Sequence, residues 1–247
     1  TDAVVAFSSG NHGIGVAYAA RCLGKTATIV VPKDAPRVKI ERIQQLGARI
    51  VFYDRIREDR EEIANELLKG SSAALIKPYD DTRVITGQGT VGLEIAQQTA
   101  EMGVRPDAVL CCCGGGGLIA GLSIAVHAHM PDVKIWSAEP EFYDDTKRSL
   151  ETGRIETADL SHKSVCDAIV TPEPGQLTFP INQQHLSGGA VVSDEMTLRT
   201  IATLFKHLKI IVEPGGAVAV AAALNGQHPT DAGVIVAVAS GGNIDAD

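Results

Sequence analysis

The sequence predicts an α/β protein with two lobes, each containing a mostly parallel sheet covered by helices. Three observations support this prediction. Short apolar runs alternate with segments of helical periodicity, which is the pattern of parallel β-α units. Two loops of small residues, 8–13 and 114–117, each lie between an apolar run and a helical segment. The chain has 247 residues, 45% of them hydrophobic and 25 of them glycine, which suits a sizeable core with tight turns.

The first lobe is predicted over residues 1–84, with strands and helices in alternation. Its strands are expected where short apolar runs end before a turn, at 3–7, 25–31, 49–53 and 73–76. Its helices are expected where apolar residues recur every three or four positions, at 14–23, 37–46 and 58–68. This order predicts a parallel sheet, because parallel strands are joined by crossover helices.

The second lobe is predicted over residues 85–247, after a loop at 77–86. Its strands are expected at 107–112, 133–138 and 234–238, and its helices at 89–102, 118–129, 194–207 and 217–224. Asp194 is a suitable N-cap for the helix that starts there. Residues 151–192 contain three prolines and are predicted to be irregular.

The composition excludes several classes of protein. The formal net charge is -8 and no basic residues cluster, so neither nucleic acid nor an anionic membrane is an expected partner. No apolar run approaches the roughly 20 residues that span a bilayer. The five cysteines include the run 111–113 in a predicted buried strand, and their spacing matches neither disulfides nor paired zinc motifs. We therefore expect a cytoplasmic protein with cysteines in its core.

Four consecutive glycines separate the predicted strand 107–112 from the next helix. Glycines at a helix N-terminus expose backbone N–H groups that can bind an anion such as phosphate. Two other interpretations stay open. Gly115, Gly117 and Gly121 also fit a dinucleotide-binding loop, in which Glu139 would bind the ribose. Close packing of the helix on the strand would need no ligand.

A second loop, Ser8-Ser9-Gly10-Asn11-His12-Gly13, also lies between a strand and a helix. We call it the serine loop, and we call residues 114–117 the glycine loop. Hydroxyl, amide and backbone N–H groups at a helix N-terminus are suited to a carboxylate. The alternative is a capped helix start, with Ser and Asn as cap residues. A Ser–His pair for hydrolysis lacks the spacing of a nucleophile elbow.

Two further clusters are ambiguous in isolation. Glu139, Asp144 and Asp145 could bind a hard divalent cation through oxygen atoms, or they could form a solvated acidic turn. The motif Ser240-Gly241-Gly242-Asn243 follows a predicted strand and is also typical of a simple turn. Neither cluster identifies a function alone.

Taken in order, these motifs resemble the threonine/serine dehydratase and serine racemase family, whose members are fold-type II pyridoxal-phosphate enzymes. The resemblance extends over essentially all 247 residues. Besides the two loops, it includes Gly87-Gln88-Gly89-Thr90, Ala138-Glu139-Pro140 with Asp144-Asp145, Glu213-Pro214-Gly215-Gly216-Ala217 and Ser240-Gly241-Gly242-Asn243. The fold that it implies has two α/β lobes with the active site between them.

The resemblance implies that pyridoxal 5'-phosphate is the cofactor, and it assigns residues to that cofactor. Asn11 would hydrogen-bond the ring hydroxyl, Ser240 would face the pyridine nitrogen, and Glu213 would lie near the ring. The phosphate would be held by the glycine loop and the first N–H group of the following helix, that is by Gly114, Gly115, Gly116, Gly117 and Leu118.

The resemblance also implies a substrate site and a metal site. The substrate carboxylate would be surrounded by Ser8, Ser9, Gly10 and His12. Ser9 also matches the second proton carrier of the racemases, which would make it a catalytic residue. A divalent cation (Mg, Mn or Ca) would bind to Glu139, the carbonyl oxygen of Tyr143, and Asp145. The family further implies a homodimer.

The activity implied is dehydration and deamination of a small hydroxy amino acid, L-threonine or L-serine, to a 2-oxoacid and ammonia. Serine racemisation and 3-hydroxyaspartate dehydration remain alternatives. The family's Schiff-base lysine precedes the serine loop and is expected upstream of residue 1, since no motif is matched by Lys25, Lys33, Lys39 or Lys77. A catalytically incompetent fragment and an NAD(P)-binding dehydrogenase are the alternatives from other classes.

Overall fold

The computed structural model describes residues 1–8, 10–229 and 231–244, which form two compact units. One unit comprises Thr1–Pro78 together with residues 243–244, and the other comprises Tyr79–Gly242. Ser9, predicted to contact substrate and to carry a proton, lies outside the described residues. Each unit contains a four-stranded parallel sheet, as predicted for an α/β chain of this kind.

The sheet of the first unit has the strand order β3-β2-β1-β4. Its strands are β1 (Ala3–Phe7), β2 (Thr26–Pro32), β3 (Arg49–Tyr53) and β4 (Ala74–Ile76), and its helices are α1 (Asn11–Cys22), α2 (Arg37–Gln45) and α3 (Arg60–Leu68). Successive strand residues point to opposite faces, so β1 contributes to two cores. Ala6 packs with residues of α1 and α2, whereas Val5 and Phe7 pack with α3.

The sheet of the second unit has the strand order β7-β6-β5-β8, and every neighbouring pair is parallel. Its strands are β5 (Ala108–Cys112), β6 (Lys134–Pro140), β7 (Gly188–Val192) and β8 (Ile235–Ala237). Its helices are α4 (Thr82–Glu101), α5 (Gly117–His129), α6 (Asp145–Thr152), α7 (Thr178–His185), α8 (Asp194–Leu208) and α9 (Pro214–Leu224). The carboxyl ends of its strands therefore lie along one edge, where parallel α/β sheets bind ligands.

Helix α4 begins at Thr82, within the segment predicted as a loop, because Asp81 caps it. Asp81 Oδ1 accepts the N–H group of Arg83 at 2.8 Å. The glycines of α4 serve a helix crossing. A Cβ at Gly92 would lie 2.5 Å from the carbonyl oxygen of Leu122, and one at Gly121 would overlap the backbone of α4. Helices α4 and α5 therefore pack backbone against backbone.

The segment 151–192, predicted to be irregular, contains a helix and a strand. Pro180 is the third residue of α7, and a proline in the first helical turn costs no hydrogen bond. Strand β7 begins with two glycines, which hid its pattern. The predicted cap of α8 was also wrong: Ser193 Oγ accepts the N–H group of Met196, while Asp194 accepts hydrogen bonds from Ser164 and Val165.

Two further observations concern the start of α1 and membrane-spanning helices. Helix α1 begins at Asn11 rather than at residue 14, so the second half of the serine loop is helical. Within the described part of the chain, no helix has both the length and the apolar character needed to cross a bilayer.

Candidate active site

The glycine loop presents backbone N–H groups at the N-terminus of α5. Its carbonyl oxygens are engaged elsewhere: Gly115 O accepts from the Gly175 N–H group, and Gly116 O accepts from Ala120. Among the described residues, the N–H groups of residues 114–119 have no protein acceptor. The first turn of α5 also has no acidic residue. This arrangement favours an anion, because the N–H groups and the helix dipole point the same way.

Three of the loop glycines have no space for a side chain. A Cβ at Gly114 would lie 3.0 Å from the carbonyl oxygen of Ile169, and one at Gly115 would lie 2.5 Å from the ring of Tyr79. Gly116 has φ +87°, and its Cβ would lie 2.6 Å from Asn182 Nδ2. The loop is therefore shaped by its neighbours before any ligand binds.

Thr178 and Asp80 support this loop, and the sequence analysis missed both. Thr178 is fully buried at the start of α7, and its hydroxyl donates to Gly115 O at 2.7 Å. Asp80 has φ 59°, and its carboxylate accepts the N–H group of Leu177 at 2.6 Å. The Asp-Asp pair at 80–81 was a detectable cap signal, but the prolines around 178 concealed α7.

Ser240 and Glu213 lie in the same unit as the glycine loop. Ser240 follows β8 and is exposed, and its hydroxyl lies 3.2 Å from Cys112 Sγ. Glu213 is buried at the start of α9, where its N–H group donates to Gly241 O at 2.9 Å. The predicted cofactor residues of this unit therefore all follow its strands or begin its helices.

The serine loop belongs to the first unit, and its described residues are Ser8 and 10–13. Ser8 Oγ accepts the Gly10 N–H group at 3.0 Å. A Cβ at Gly10 would lie 2.5 Å from Lys39 Cδ and 3.1 Å from Lys39 Nζ. Lys39 is 1% exposed, so a buried ammonium group lies beside this loop. The position of Lys39 on α2 gives no signal of this contact in the sequence.

His12 and Asn11 have defined orientations in the serine loop. His12 Nε2 lies 3.0 Å from Ile76 O, and since a carbonyl can only accept, Nε2 carries the hydrogen. Burial lowers the pKa of His12, an effect that the hydrogen bond to Ile76 partly offsets. Asn11 Oδ1 accepts from Asn243 Nδ2 at 2.7 Å, so Nδ2 is the donor end of the Asn11 amide.

Glu139 and Asp145 form a buried acidic pair at the start of α6. Glu139 accepts the N–H groups of Thr146 and Lys147, each at 2.8 Å. Burial and then the nearby Asp145 raise the pKa of Glu139 to about 8. Burial raises the pKa of Asp145 to about 7, and its Oδ2 has no hydrogen-bond partner among the described residues.

The donors at this pair are hard oxygen atoms, which suit Mg²⁺, Mn²⁺ or Ca²⁺. Within the ranges described, no three His, Cys, Asp or Glu side chains cluster as metal ligands. The predicted set includes two such side chains, and its third ligand is the carbonyl of Tyr143. A cation would relieve the repulsion between two buried carboxylates, so the residues fit the predicted ion.

Gly121 and Glu139, two of the residues that suggested a dinucleotide-binding loop, each have another role in the structure. Gly121 is required by the crossing of α5 with α4, and Glu139 accepts the N–H groups of Thr146 and Lys147 at the start of α6. The structure is that of a parallel α/β protein with a phosphate-binding loop at the carboxyl edge of a sheet. These two features are typical of enzymes that bind a phosphorylated cofactor.

The chain matches the family model described as "Pyridoxal-phosphate dependent enzyme" over residues 1–241, and it therefore belongs to that family of enzymes. It is 38% identical over 244 residues to L-threo-3-hydroxyaspartate ammonia-lyase of Pseudomonas sp, covering 99% of this chain and 75% of that protein. It is 34% identical over 247 residues to serine racemase of Arabidopsis thaliana, covering 98% of this chain and 73% of that protein.

Solved structures agree with the family. A threonine deaminase from T.th. superposes with a TM-score of 0.92 at 43% identity, covering 100% of this chain and 79% of that one. The predicted family, fold-type II architecture and pyridoxal-phosphate dependence are therefore confirmed. The open N–H groups and the tight glycine packing fit the cofactor's phosphate.

Proposed function

We propose that this protein is an ammonia-lyase that dehydrates and deaminates L-threonine or L-serine to a 2-oxoacid and ammonia. One observation supports this most directly: the second unit places the hydroxyl of Ser240 beside Cys112, at the end of the strand that leads into the glycine loop. When bound, pyridoxal phosphate supplies an electron sink for the amino acid's α-carbon. A hydroxyl is a poor acid, so Ser240 would leave the pyridine nitrogen unprotonated and favour loss of a β-hydroxyl.

The other residues of the proposal would bind and orient the cofactor and the substrate. Gly114, Gly115, Gly116, Gly117 and Leu118 would hold the phosphate through N–H groups, with Glu213 near the ring. Asn11 would donate Nδ2–H to the ring hydroxyl, since its Oδ1 accepts from Asn243. The substrate carboxylate would contact Ser8, Ser9, Gly10 and His12. We retain the homodimer and the cytoplasmic location as parts of this proposal.

A second candidate is 3-hydroxyaspartate dehydration or serine racemisation, with Ser9 as proton carrier. The names of the relatives favour keeping it, since one is a 3-hydroxyaspartate ammonia-lyase and another a serine racemase. The positive charge of Lys39 beside Gly10 also suits a substrate with a second carboxylate. The two candidates share a cofactor and differ in substrate.

The experiment is a product assay with pyridoxal phosphate added. L-threonine, L-serine and L-threo-3-hydroxyaspartate are supplied separately, and 2-oxoacid, ammonia and D-serine are measured. The proposal expects 2-oxoacid and ammonia in equal amounts, fastest from threonine or serine. Faster turnover of hydroxyaspartate, or D-serine as the main product, would favour the second candidate. Cofactor binding without any of these products would contradict both.

The proposed cation site has its own test. We expect Mg²⁺ or Ca²⁺ to raise the melting temperature of the wild-type protein, because the cation neutralises the buried pair Glu139 and Asp145. The Asp145→Asn variant should lose this shift. The Asp144→Asn variant is the matched control, since Asp144 is paired with Arg148 at 3.0 Å and should leave the shift intact. An equal shift in all three proteins would refute the site.

A further inference from the structure

The thiol of Cys112 lies beside the hydroxyl of Ser240. Cys112 ends β5 and is 4% exposed, and Ser240 follows the neighbouring strand β8. The distance between Cys112 Sγ and Ser240 Oγ is 3.2 Å, within the range of a hydrogen bond to sulfur. The two strands pair in register up to Leu110 and Ala237, which brings the residues that follow them side by side.

This contact distinguishes Cys112 from its two neighbours. Cys111 and Cys113 point to the face of the sheet that is covered by α5, whereas Cys112 packs on the other face with residues of α9. The thiol of Cys113 lies 3.3 Å from Thr146 Oγ1, away from Ser240. Alternation along the strand therefore directs one thiol of the three toward the hydroxyl.

The main chain beyond Ser240 is already fixed. Gly241 O accepts the N–H group of Glu213 at 2.9 Å, and a Cβ at Gly216 would lie 2.7 Å from the same oxygen. With the backbone held, the direction of the Ser240 hydroxyl depends on its side-chain torsion and on its partner. Cys112, itself confined by a packed core, is that partner.

We propose that Cys112 is a positioning residue: its S–H group donates to Ser240 Oγ and thereby directs the Ser240 O–H group toward the pyridine nitrogen of the cofactor. The inference rests on the proposed role of Ser240. A hydroxyl has one hydrogen and two lone pairs, so it can donate to a ring nitrogen while accepting from a thiol. The donated S–H bond also polarises the O–H group and strengthens its outward hydrogen bond.

The first experiment detects the thiol contact without cofactor. The Raman S–H stretching band of Cys112 is assigned from the difference between the wild type and Cys112→Val. We expect Ser240→Ala to move this band to higher frequency, because the thiol loses its acceptor. The bands of Cys111 and Cys113 should not move. A Cys112 band that is unchanged by Ser240→Ala would overturn the inference.

The second experiment measures the dissociation constant of pyridoxal phosphate by fluorescence titration. We expect Cys112→Val to weaken binding about two- to tenfold, the value of one hydrogen bond. Cys112→Ser, which keeps a donor, should recover part of this loss. Cys113→Val is the matched control, because it removes a neighbouring buried thiol that contacts Thr146 rather than Ser240.

An analogue of pyridoxal phosphate with carbon in place of the ring nitrogen separates positioning from packing. Cys112→Val should bind this analogue as tightly as the wild type does, whereas a packing defect would weaken both ligands equally. Equal weakening, or no weakening with either ligand, would overturn the inference and leave the proposed function standing. A wild-type protein that does not bind pyridoxal phosphate would overturn both.

Discussion

The two loops of this chain start from the same local design and differ in how they are held. Each follows the first strand that its unit contributes, and each leads into a helix whose first turn lacks acidic residues. Rigid neighbours shape the glycine loop, since backbone or ring atoms face the missing Cβ of Gly114 and Gly115. In the serine loop, Gly10 instead faces a flexible side chain, that of Lys39.

Because of this difference, the two loops are suited to different kinds of ligand binding. The glycine loop keeps its N–H groups open and its carbonyls engaged, so a ligand meets a site that is already formed. In the serine loop, the hydroxyl of Ser8 accepts an N–H group of its own loop. An incoming carboxylate would have to compete with that bond. We expect the first loop to bind one group tightly and the second to tolerate exchange.

Gly116→Ala should have the most severe effect on cofactor binding, because it changes the preformed glycine loop. The change places a side chain at φ +87° and 2.6 Å from Asn182 Nδ2. Left-handed backbone and overpacking together cost about 2 kcal/mol or more, so pyridoxal-phosphate affinity should fall at least about thirtyfold. Gly103→Ala is the control, since Gly103 has φ +66° with open space around it. Similar affinities in the two variants would contradict a preformed loop.

Thr178→Val tests how much the hydrogen bond from Thr178 to the glycine loop contributes to the stability of the protein. The variant keeps the shape of the side chain but removes the hydrogen bond to Gly115 O. The free energy of unfolding should fall by about 1 kcal/mol, because Gly115 O loses one of its two hydrogen bonds and keeps the one from the Gly175 N–H group. Thr203→Val removes a hydroxyl that donates to Arg199 O on an exposed helix face. Urea titration should show little effect there; an equal effect would refute the support.

Gly10→Ala should have a smaller effect, confined to the substrate. Its Cβ would meet Lys39 Cδ at 2.5 Å, but a lysine side chain can move. We expect the KM for the amino acid to rise about fivefold, equivalent to about 1 kcal/mol, with cofactor affinity unchanged. Adding Lys39→Ala should remove part of the Gly10→Ala effect, since the clash disappears. Strict additivity of the two changes would argue against this contact.

His12 gives the smallest expected effect, a dependence of stability on pH. Burial lowers its pKa in the folded protein from the ordinary value of 6.5. Below that value the unfolded chain takes up a proton that the folded chain resists, so stability falls as pH falls. Urea midpoints between about pH 7.5 and about pH 5 should drop more for the wild type than for His12→Gln. His207→Gln, on an exposed helix position, should behave as the wild type does.

Sequence reasoning recovered the parts of the fold that are written in local patterns. The sequence pattern predicts a strand near every observed strand except β7, and the glycine loop lies where its composition predicts. The helix and the strand within residues 151–192 were not predicted, because Pro180 and the glycines of β7 are typical of irregular segments. Lys39, Thr178 and Cys112 could not be assigned as neighbours of the two loops and Ser240, because those contacts join residues that are distant in sequence.

The crossing of α4 with α5 has a consequence for how this enzyme can evolve. A Cβ at Gly92 would meet Leu122 O at 2.5 Å and one at Gly121 would meet Ile85 O at 2.1 Å, so even a methyl group at either position would force the two helices apart. Such a displacement would carry the N-terminus of α5 with it, although neither glycine belongs to the glycine loop. Variants selected for altered cofactor retention should therefore also arise at this helix crossing, at positions outside the glycine loop.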